Sequence, residues 1–340
     1  MLLSIIVPVY NMAKDGMLEY CLNSLINQTV PDYEIIAIND ASTDNSIDIL
    51  NDYKKRYPEK MVVIDLPTNH HQGGAKNYGL KVCKGDYIGF IDSDDWITPE
   101  FYETLINKAE ETGADMVACD FCYVYEHTDI PTERVACNKS EQTGVMTVER
   151  MKALIMDPGA SVTKIYKRSM FFDEPFEFPD RMFFEDNATG IELIRRSKHF
   201  EYIEKPMYFY YQRENSTVHT VTKERCEDRL KAMRIMLQYA INKGYLETYK
   251  DEIEYKFTNL FYQNTLFSYM QNGKNQSISF IRGMGKEIKE CFPGFENNPY
   301  YLAKVHPEEK KLMHMQQKST FLFYMYYKLL YFYRGIRKRI

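Results

Sequence analysis

The sequence has little cysteine and no long apolar run, and both absences narrow the class of protein. Seven cysteines in 340 residues are too few, and odd in number, for a disulfide framework, so we expect reduced thiols and a cytoplasmic location. No segment reaches the roughly 20 apolar residues that a transmembrane helix needs. Residues 1–8 carry neither a basic region nor a cleavage site, so no signal peptide is expected.

Acidic residues outnumber basic ones over most of the chain. The net charge of −5 argues against a nucleic-acid partner, which would need a basic surface. Residues 310–340 differ, because they hold eight Lys or Arg and no Asp or Glu, which leaves −13 for the remainder. A basic tail on an acidic body suggests an anionic partner for the tail, such as a lipid surface.

Several catalytic and nucleotide-binding motifs are also absent. The zinc-hydrolase pattern HExxH and the serine-hydrolase pattern GxSxG do not occur. The Gly-rich segment at residues 73–79 fits neither GxGxxG nor the P-loop. Cys119 and Cys122 form a CxxC, but it lies in an apolar run typical of a strand. Residues three apart on a strand point to opposite faces, so we interpret both as small core residues.

The first 125 residues show a regular alternation of short β-branched runs and helical periodicity. Strands are predicted at residues 3–9, 34–38, 61–66, 86–91 and 115–125, and helices at 17–27, from 42 or 44 to about 57, at 75–83 and at 99–112. This order predicts βαβ units and a mostly parallel sheet flanked by helices. Beyond residue 128 the pattern is less regular. Helices are expected near 147–156 and 185–196 and over most of 223–289.

Polar residues directly follow three of the predicted strands, where ligands bind in parallel sheets. These are Tyr10-Asn11, Asn39-Asp40 and Asp92-Ser93-Asp94-Asp95. Neighbouring carboxylates repel each other, and a hard divalent ion would relieve the repulsion. An EF-hand loop is excluded, because its fifth position would be Trp96 and no Gly follows. The alternative is a solvated acidic turn that caps the next helix.

Glu185 and Asp186 follow Met182-Phe183-Phe184 and open a predicted helix. A carboxylate beside apolar and aromatic groups can have a raised pKa and act as a general base. The alternative is an acidic residue favoured by the helix dipole, and composition alone puts this alternative first. Lys76 and Arg213 are candidate cations for a diphosphate.

Five of these stretches, in order, resemble the motifs of family-two glycosyltransferases with the GT-A fold, of the bacterial cell-surface polysaccharide type. The matching stretches are Val7-Pro8-Val9-Tyr10-Asn11, Asn39-Asp40-Ala41-Ser42-Thr43-Asp44, residues 73–79, Asp92-Ser93-Asp94 and Glu185-Asp186. The resemblance covers roughly the first 220 residues. It implies a nucleotide-sugar-binding and catalytic GT-A domain at residues 1–220, followed by a helical region at 221–340 with an aromatic and basic tail at 310–340.

The resemblance also implies a role for each matching residue. Pro8, Tyr10, Asn11 and Asp40 would hold the donor base, most often uracil, with Asp92 and Ser93 near the ribose. Asp94 would be the main ligand of Mn²⁺ or Mg²⁺, with Asp92 and Asp95 beside it. Asp186, with Glu185, would be the general base. Lys76 and Arg213 would approach the diphosphate, and Lys164 and Trp96 would line the acceptor side.

The implied activity is metal-dependent, inverting transfer of a sugar from a nucleotide-diphosphate donor, a UDP-sugar, to a hydroxyl of a glycan or lipid-linked acceptor. Two features depart from the family pattern. Lys76 stands where the family often has Arg, which puts that donor contact in doubt because Lys lacks the planar bidentate fork. The QxxRW motif of processive members is absent, which favours addition of one sugar per encounter.

Two alternatives stay open. A non-catalytic, membrane-docked scaffold would keep the fold, but it has no need for the carboxylates at 92, 94 and 186. A sugar-1-phosphate nucleotidyltransferase would need a Gly-rich, Arg-containing loop after the first strand, where this chain has Pro8-Val9-Tyr10-Asn11-Met12.

The C-terminal tail allows two interpretations. Residues 320–334 are aromatic and apolar, and basic residues follow. This segment fits an interfacial helix at the inner face of the cell membrane. It fits equally a helix packed on the body of the protein or in a homodimer.

Overall fold

The computed structural model describes residues 1–127, 132–212, 221–272 and 276–337. The chain divides into two compact units, Met1–Ser216 and Thr217–Ile340. Within the described ranges, no helix combines the length and the hydropathy needed to cross a bilayer.

The first unit is built on one mixed sheet, which has ten strands in the part of the chain that the structure describes. The strands are β1 (Leu3–Val9), β2 (Tyr33–Asn39), β3 (Met61–Asp65), β4 (Tyr87–Phe90), β5 (Trp96–Ile97), β6 (Met116–Val124), β7 (Arg134–Val135), β8 (Gly144–Val145), β9 (Lys164–Lys167) and β10 (His199–Tyr211). Their order is β3-β2-β1-β4-β9-β6-β10-β5, with β7 on β6 and β8 on β10.

The long strands pair in parallel, which confirms the predicted fold class. β1 pairs in parallel with β2 and β4, β2 with β3, and β6 with β10. The short strands β5, β7, β8 and β9 pair antiparallel. All seven residues of β1 and of β2 are buried. Burial on both faces explains why these strands have continuous apolar runs rather than alternation.

Seven α-helices flank the sheet in the described part of this unit. They are α1 (Met17–Ile26), α2 (Ser46–Arg56), α3 (His71–Val82), α4 (Phe101–Thr112), α5 (Val148–Met156), α6 (Ser169–Phe172) and α7 (Glu185–Arg196). The helix predicted at 185–196 has those bounds. Helix α3 begins four residues before the predicted start, and β9 and β10 were not predicted.

The second unit is helical, as expected. Its helices are α8 (Lys223–Asn242), α9 (Lys250–Phe257), a π-helical segment (Thr258–Asn264), α10 (Thr265–Asn272), α11 (Ile278–Cys291), α12 (Pro299–Lys304), α13 (Pro307–Lys318) and α14 (Thr320–Arg337). Phe257, Phe261 and Tyr262 are fully buried at its centre. The Tyr262 hydroxyl donates to the Gln316 side chain, so the buried polar group has a partner.

All seven cysteines are free, and six are buried. Cys119 packs in the main core of the first unit, whereas Cys122 packs in a smaller cluster with Trp96, Val124 and Phe209. The two thiols thus lie in different cores, as expected for residues three apart on one strand.

Candidate active site

Strained backbone is concentrated where β1 and β2 end and around the starts of α3 and α7. Asn11, Ala41, His71, Arg181 and Phe184 all have φ between 54° and 65°. Such values cost a non-Gly residue about 1 kcal/mol or more and persist only where the surroundings enforce them. The sequence stretches that carry the five predicted motifs contain or adjoin most of these residues.

The loops after β1 and β2 are joined through Asn11. Its side-chain oxygen accepts from the Thr43 backbone N–H at 2.7 Å, and its own N–H donates to Ser42 Oγ at 3.0 Å. Pro8 is buried in β1 opposite Ile38. Tyr10 is 45% exposed, so its ring is available to a ligand beside the strand ends.

Asp40 is buried at the end of β2, with only 2% of its surface exposed. Its Oδ1 accepts from the His70 backbone N–H at 2.7 Å, and its carbonyl oxygen accepts from Asn69 Nδ2 at 3.2 Å. Burial raises the pKa of Asp40, although the hydrogen bond from His70 opposes the rise. Asp40 therefore holds the start of α3 against the strand ends.

Asp92 and Asp94 are half-buried in the loop after β4, and Ser93 is buried. Gln72 Nε2 donates to Asp92 Oδ1 at 3.0 Å. Burial, followed by the charges of neighbouring carboxylates, raises the pKa of Asp92 to about 7 against the opposing charge of Lys76. The contributing carboxylates are Asp94, Glu185 and Asp186, so the acidic loop and the start of α7 lie near each other.

Asp95 and Trp96 point into the protein. Asp95 is 1% exposed, and its two oxygens accept from the Tyr208 hydroxyl at 2.5 Å and the Tyr211 N–H at 2.9 Å. Trp96 is also 1% exposed and lies against the rings of Tyr20 and Phe209. Both residues therefore fix the acidic loop to the neighbouring strand β10.

Asp186 lies in the first turn of α7, after Phe184 at φ 65°. Its side chain is exposed to solvent but closely surrounded by protein atoms. The resulting loss of hydration and the charge of Glu185 raise the pKa of Asp186 to about 6, while Lys76 acts in the opposite direction. A base of this strength is ionised at neutral pH and still accepts a proton readily.

Lys76 and Glu185 form a buried ion pair, 2.7 Å between Nζ and Oε1, with side chains 4% and 5% exposed. The ammonium group also lies over the rings of Phe90 and Phe178. Burial alone would lower the pKa of Lys76, but the carboxylates around it, Glu185 first, raise it. The pair fastens α3 to the start of α7, which carries Asp186.

Helix α3 thus contacts three of the predicted motifs. His70, immediately before it, binds Asp40, Gln72 binds Asp92, and Lys76 binds Glu185. Two glycines also allow α3 to lie close to the segment before α7. A Cβ on Gly73 would lie 2.2 Å from the Pro179 carbonyl oxygen, and a Cβ on Gly74 would lie 2.2 Å from Asp180 Oδ1.

Sequence reasoning missed His70, Gln72 and Asp180. His70 Nδ1 lies 2.8 Å from Asp180 Oδ1, which links α3 to the segment before α7. The only sequence signal for these residues is that each lies one to three residues before a stretch already singled out, Gln72 and His70 before residues 73–79 and Asp180 before Met182.

The predicted residue Lys164 is buried in an environment of its own. Lys164, the first residue of β9, is 3% exposed and donates from Nζ to the Ala160 carbonyl at 2.5 Å. Burial lowers the pKa of Lys164 to about 8. Arg213 lies outside the described residues.

Asp92 and Asp94 are suitable ligands for a divalent cation. Their carboxylate oxygens are the donors that hard ions prefer. A cation would relieve the repulsion between carboxylates that, after burial, raises the pKa of Asp92. In the described part of the chain, no three His, Cys, Asp or Glu side chains are grouped to hold a metal ion.

A mostly parallel sheet with aspartates after β2 and β4, and with a further carboxylate at the start of α7, defines a glycosyltransferase of the GT-A type. The chain belongs to glycosyl transferase family 2, whose sequence profile matches residues 4–176. The predicted family, and the enzyme class that it comprises, are thereby confirmed.

Known proteins agree with this assignment. The chain is 31% identical over 258 residues to the putative glycosyltransferase EpsH of Bacillus subtilis, a match that covers 74% of this chain and 72% of EpsH. It is 47% identical over 119 residues to a poly(ribitol-phosphate) beta-glucosyltransferase of Bacillus spizizenii, covering 34% of this chain and 18% of that protein. The chain spans less than two thirds of the length of several curated relatives.

A solved structure shares the fold over nearly the whole chain. S. aureus TarS 1–349 in complex with UDP-GlcNAc matches with a TM-score of 0.73 at 22% identity, covering 97% of this chain and 91% of that one. The match includes the helical second unit.

Proposed function

We propose that the protein transfers a sugar from a UDP-sugar to a hydroxyl group of a glycan or lipid-linked acceptor, with inversion at the anomeric carbon. The observation that carries this proposal is the grouping of Asp92, Asp94 and Asp186 around α3, beside the strand ends where a nucleotide binds in this type of sheet. The UDP-GlcNAc bound to TarS supports a UDP-hexosamine or UDP-hexose as donor.

The donor base lies between the loops after β1 and β2. The exposed ring of Tyr10 stacks on it, and Asn11 and Asp40 fix the two loops that form its walls. Asp92 and Asp94 would hold Mn²⁺ or Mg²⁺, which supplies the positive charge that a departing diphosphate needs. Asp95 keeps the loop in place and is not among the ligands that we propose.

Asp186 removes the proton from the acceptor hydroxyl as that oxygen attacks the anomeric carbon and the nucleotide leaves. Its pKa of about 6 leaves it ionised at neutral pH. Because the displacement occurs in one step, the product has the opposite anomeric configuration to the donor. NMR of the first product tests this point, and retention of configuration would contradict the mechanism.

The acceptor binds on the open side of Asp186 and receives one sugar per encounter. Lys164 and Trp96 are buried, so we propose that they support the acceptor side from behind rather than contact the acceptor. A nucleotide-sugar donor is consistent with a reaction at the cytoplasmic face of the membrane.

Calorimetric titration of nucleotides with and without Mn²⁺ tests the proposal directly. We expect UDP to bind only with the metal and Asp94→Ala to abolish binding. Asp173→Ala, which removes an exposed carboxylate at the end of α6, is the matched control and should bind like the wild type. If no nucleotide binds under any condition, the transferase proposal is wrong and a non-catalytic scaffold takes its place.

A further inference from the structure

Helix α14 is held against its own unit along one face. Phe323 and Tyr327 are 0% and 1% exposed. The Tyr327 ring stacks on Phe267, and the Tyr331 hydroxyl accepts from Gln271 Nε2 at 3.0 Å. The helix is therefore docked on its own unit, and among the side chains that the structure describes the docking face is the one that carries Phe323 and Tyr327.

The outer face of α14 is apolar and exposed. Each of its side chains is between 45% and 71% exposed, and they are Phe321, Leu322, Met325, Tyr326, Leu329, Phe332 and Tyr333. At 3.6 residues per turn they fall within an arc of about 140° that contains no charged position. We refer to these seven residues as the α14 stripe. A continuous exposed apolar surface of this kind is typical of a binding surface.

The charge around the stripe selects between its possible partners. Residues 310–340 carry eight Lys or Arg and no acidic residue. Pairing of two copies through α14 would bring two such segments together and oppose association. An anionic bilayer would instead attract the cations and bury the stripe. Tyr326 and Tyr333 of the stripe also suit the headgroup layer, where an amphipathic ring has both apolar and polar surroundings.

We propose that α14 lies in the plane of an anionic bilayer surface, with the α14 stripe in the boundary between headgroups and acyl chains. Lys328, whose ammonium group lies over the Tyr324 ring, is at the edge of the stripe and extends toward lipid phosphates. This inference concerns the second unit alone and stands independently of the proposed transfer reaction.

Vesicle flotation of the full chain tests the inference. The wild type should float with vesicles of phosphatidylglycerol and phosphatidylcholine, bind at least about tenfold more weakly to phosphatidylcholine alone, and lose binding as salt is added. Leu329→Asp combined with Phe332→Asp should weaken binding to the anionic vesicles at least about tenfold.

The matched control places the same change on exposed apolar residues elsewhere in the unit. Ile241→Asp with Leu302→Asp, at positions 51% and 57% exposed, should float like the wild type. Asp186→Asn should also float like the wild type, which separates this inference from the proposed reaction.

A spectroscopic readout locates the contact. The single Trp of the chain is buried. A Trp introduced at Phe332 should therefore shift its emission to shorter wavelength with anionic vesicles, and a Trp at Ile241 should not. Equal flotation of the double α14 variant and the wild type would overturn the inference. The inference would also be overturned if the wild type is a dimer that floats with neither kind of vesicle while the double α14 variant is a monomer.

Discussion

At the scale of single residues, the structure gives the predicted carboxylates different environments. Asp186 is open to solvent at the start of α7, whereas Asp95 and Glu185 are buried with partners of their own. The residue types and their spacing identify all three carboxylates. They do not indicate which of the three will be bound by a side chain of a neighbouring strand or helix. Tyr208 and Lys76 decide this, and they lie 113 and 109 residues away along the chain.

Asp186→Asn should lower kcat by about 10²- to 10⁴-fold, because the amide cannot take the acceptor proton. In the wild type, kcat/KM should fall as the pH drops below about 6, since the raised pKa of Asp186 means that the base is then protonated. Steady-state rates from pH 5 to 8 measure both effects. Asp173→Asn serves as control and should keep the wild-type rate and profile.

Lys76→Met should affect both stability and the pH profile. The change leaves Glu185 as an unpaired charge in the interior, which costs about 3–5 kcal/mol of folding free energy. It also removes the positive charge that lowers the pKa of Asp186, so the acid limb of kcat/KM should move to higher pH.

Lys81→Met, on the exposed part of the same helix, should change stability by less than about 0.5 kcal/mol and leave the profile unmoved. If Lys76→Met lowers stability without moving the acid limb, then Lys76 is structural and does not influence the base.

At the scale of elements, the sequence predicts the long strands and helices that alternate in the first 125 residues. It misses the short strands β5, β7, β8 and β9 and the long strand β10. Strands β1 to β4 and β6 follow from β-branched runs bounded by turn residues. Strand β10 was missed because Pro206 and two register shifts interrupt its pairing with β6. The sequence predicts a start of α3 that is four residues too late, because Gly73 and Gly74 are poor helix formers. Both glycines serve a packing contact that no local pattern reveals.

Gly73→Ala and Gly74→Ala should each lower the free energy of unfolding by about 1–3 kcal/mol, because the new methyl group meets the segment before α7. Gly190→Ala, in the middle of α7 with open space around it, should instead raise stability by up to about 1 kcal/mol. Urea unfolding measures all three. Equal effects at the three positions would mean that α3 and this segment do not pack closely.

At the scale of the whole molecule, the cysteines report on each unit separately. Cys226 and Cys291 belong to the second unit and the other five to the first. Only Cys291 is partly exposed. The seven thiols are therefore natural probes of whether each unit keeps its core closed in solution.

A thiol reagent should modify one cysteine of the native protein rapidly and all seven after unfolding. Burial hides the other six thiols from the reagent. Burial also raises the pKa of all seven thiols, including that of Cys291, so accessibility rather than pKa makes Cys291 react first. Cys291→Ser should abolish the rapid reaction and leave the slow one unchanged.

Pulse labelling during urea unfolding, read by peptide mass spectrometry, should show five thiols exposed together in the first unit. If those five react at different urea concentrations, the sheet opens in parts, and the carboxylates around α3 lose their arrangement before the unit unfolds.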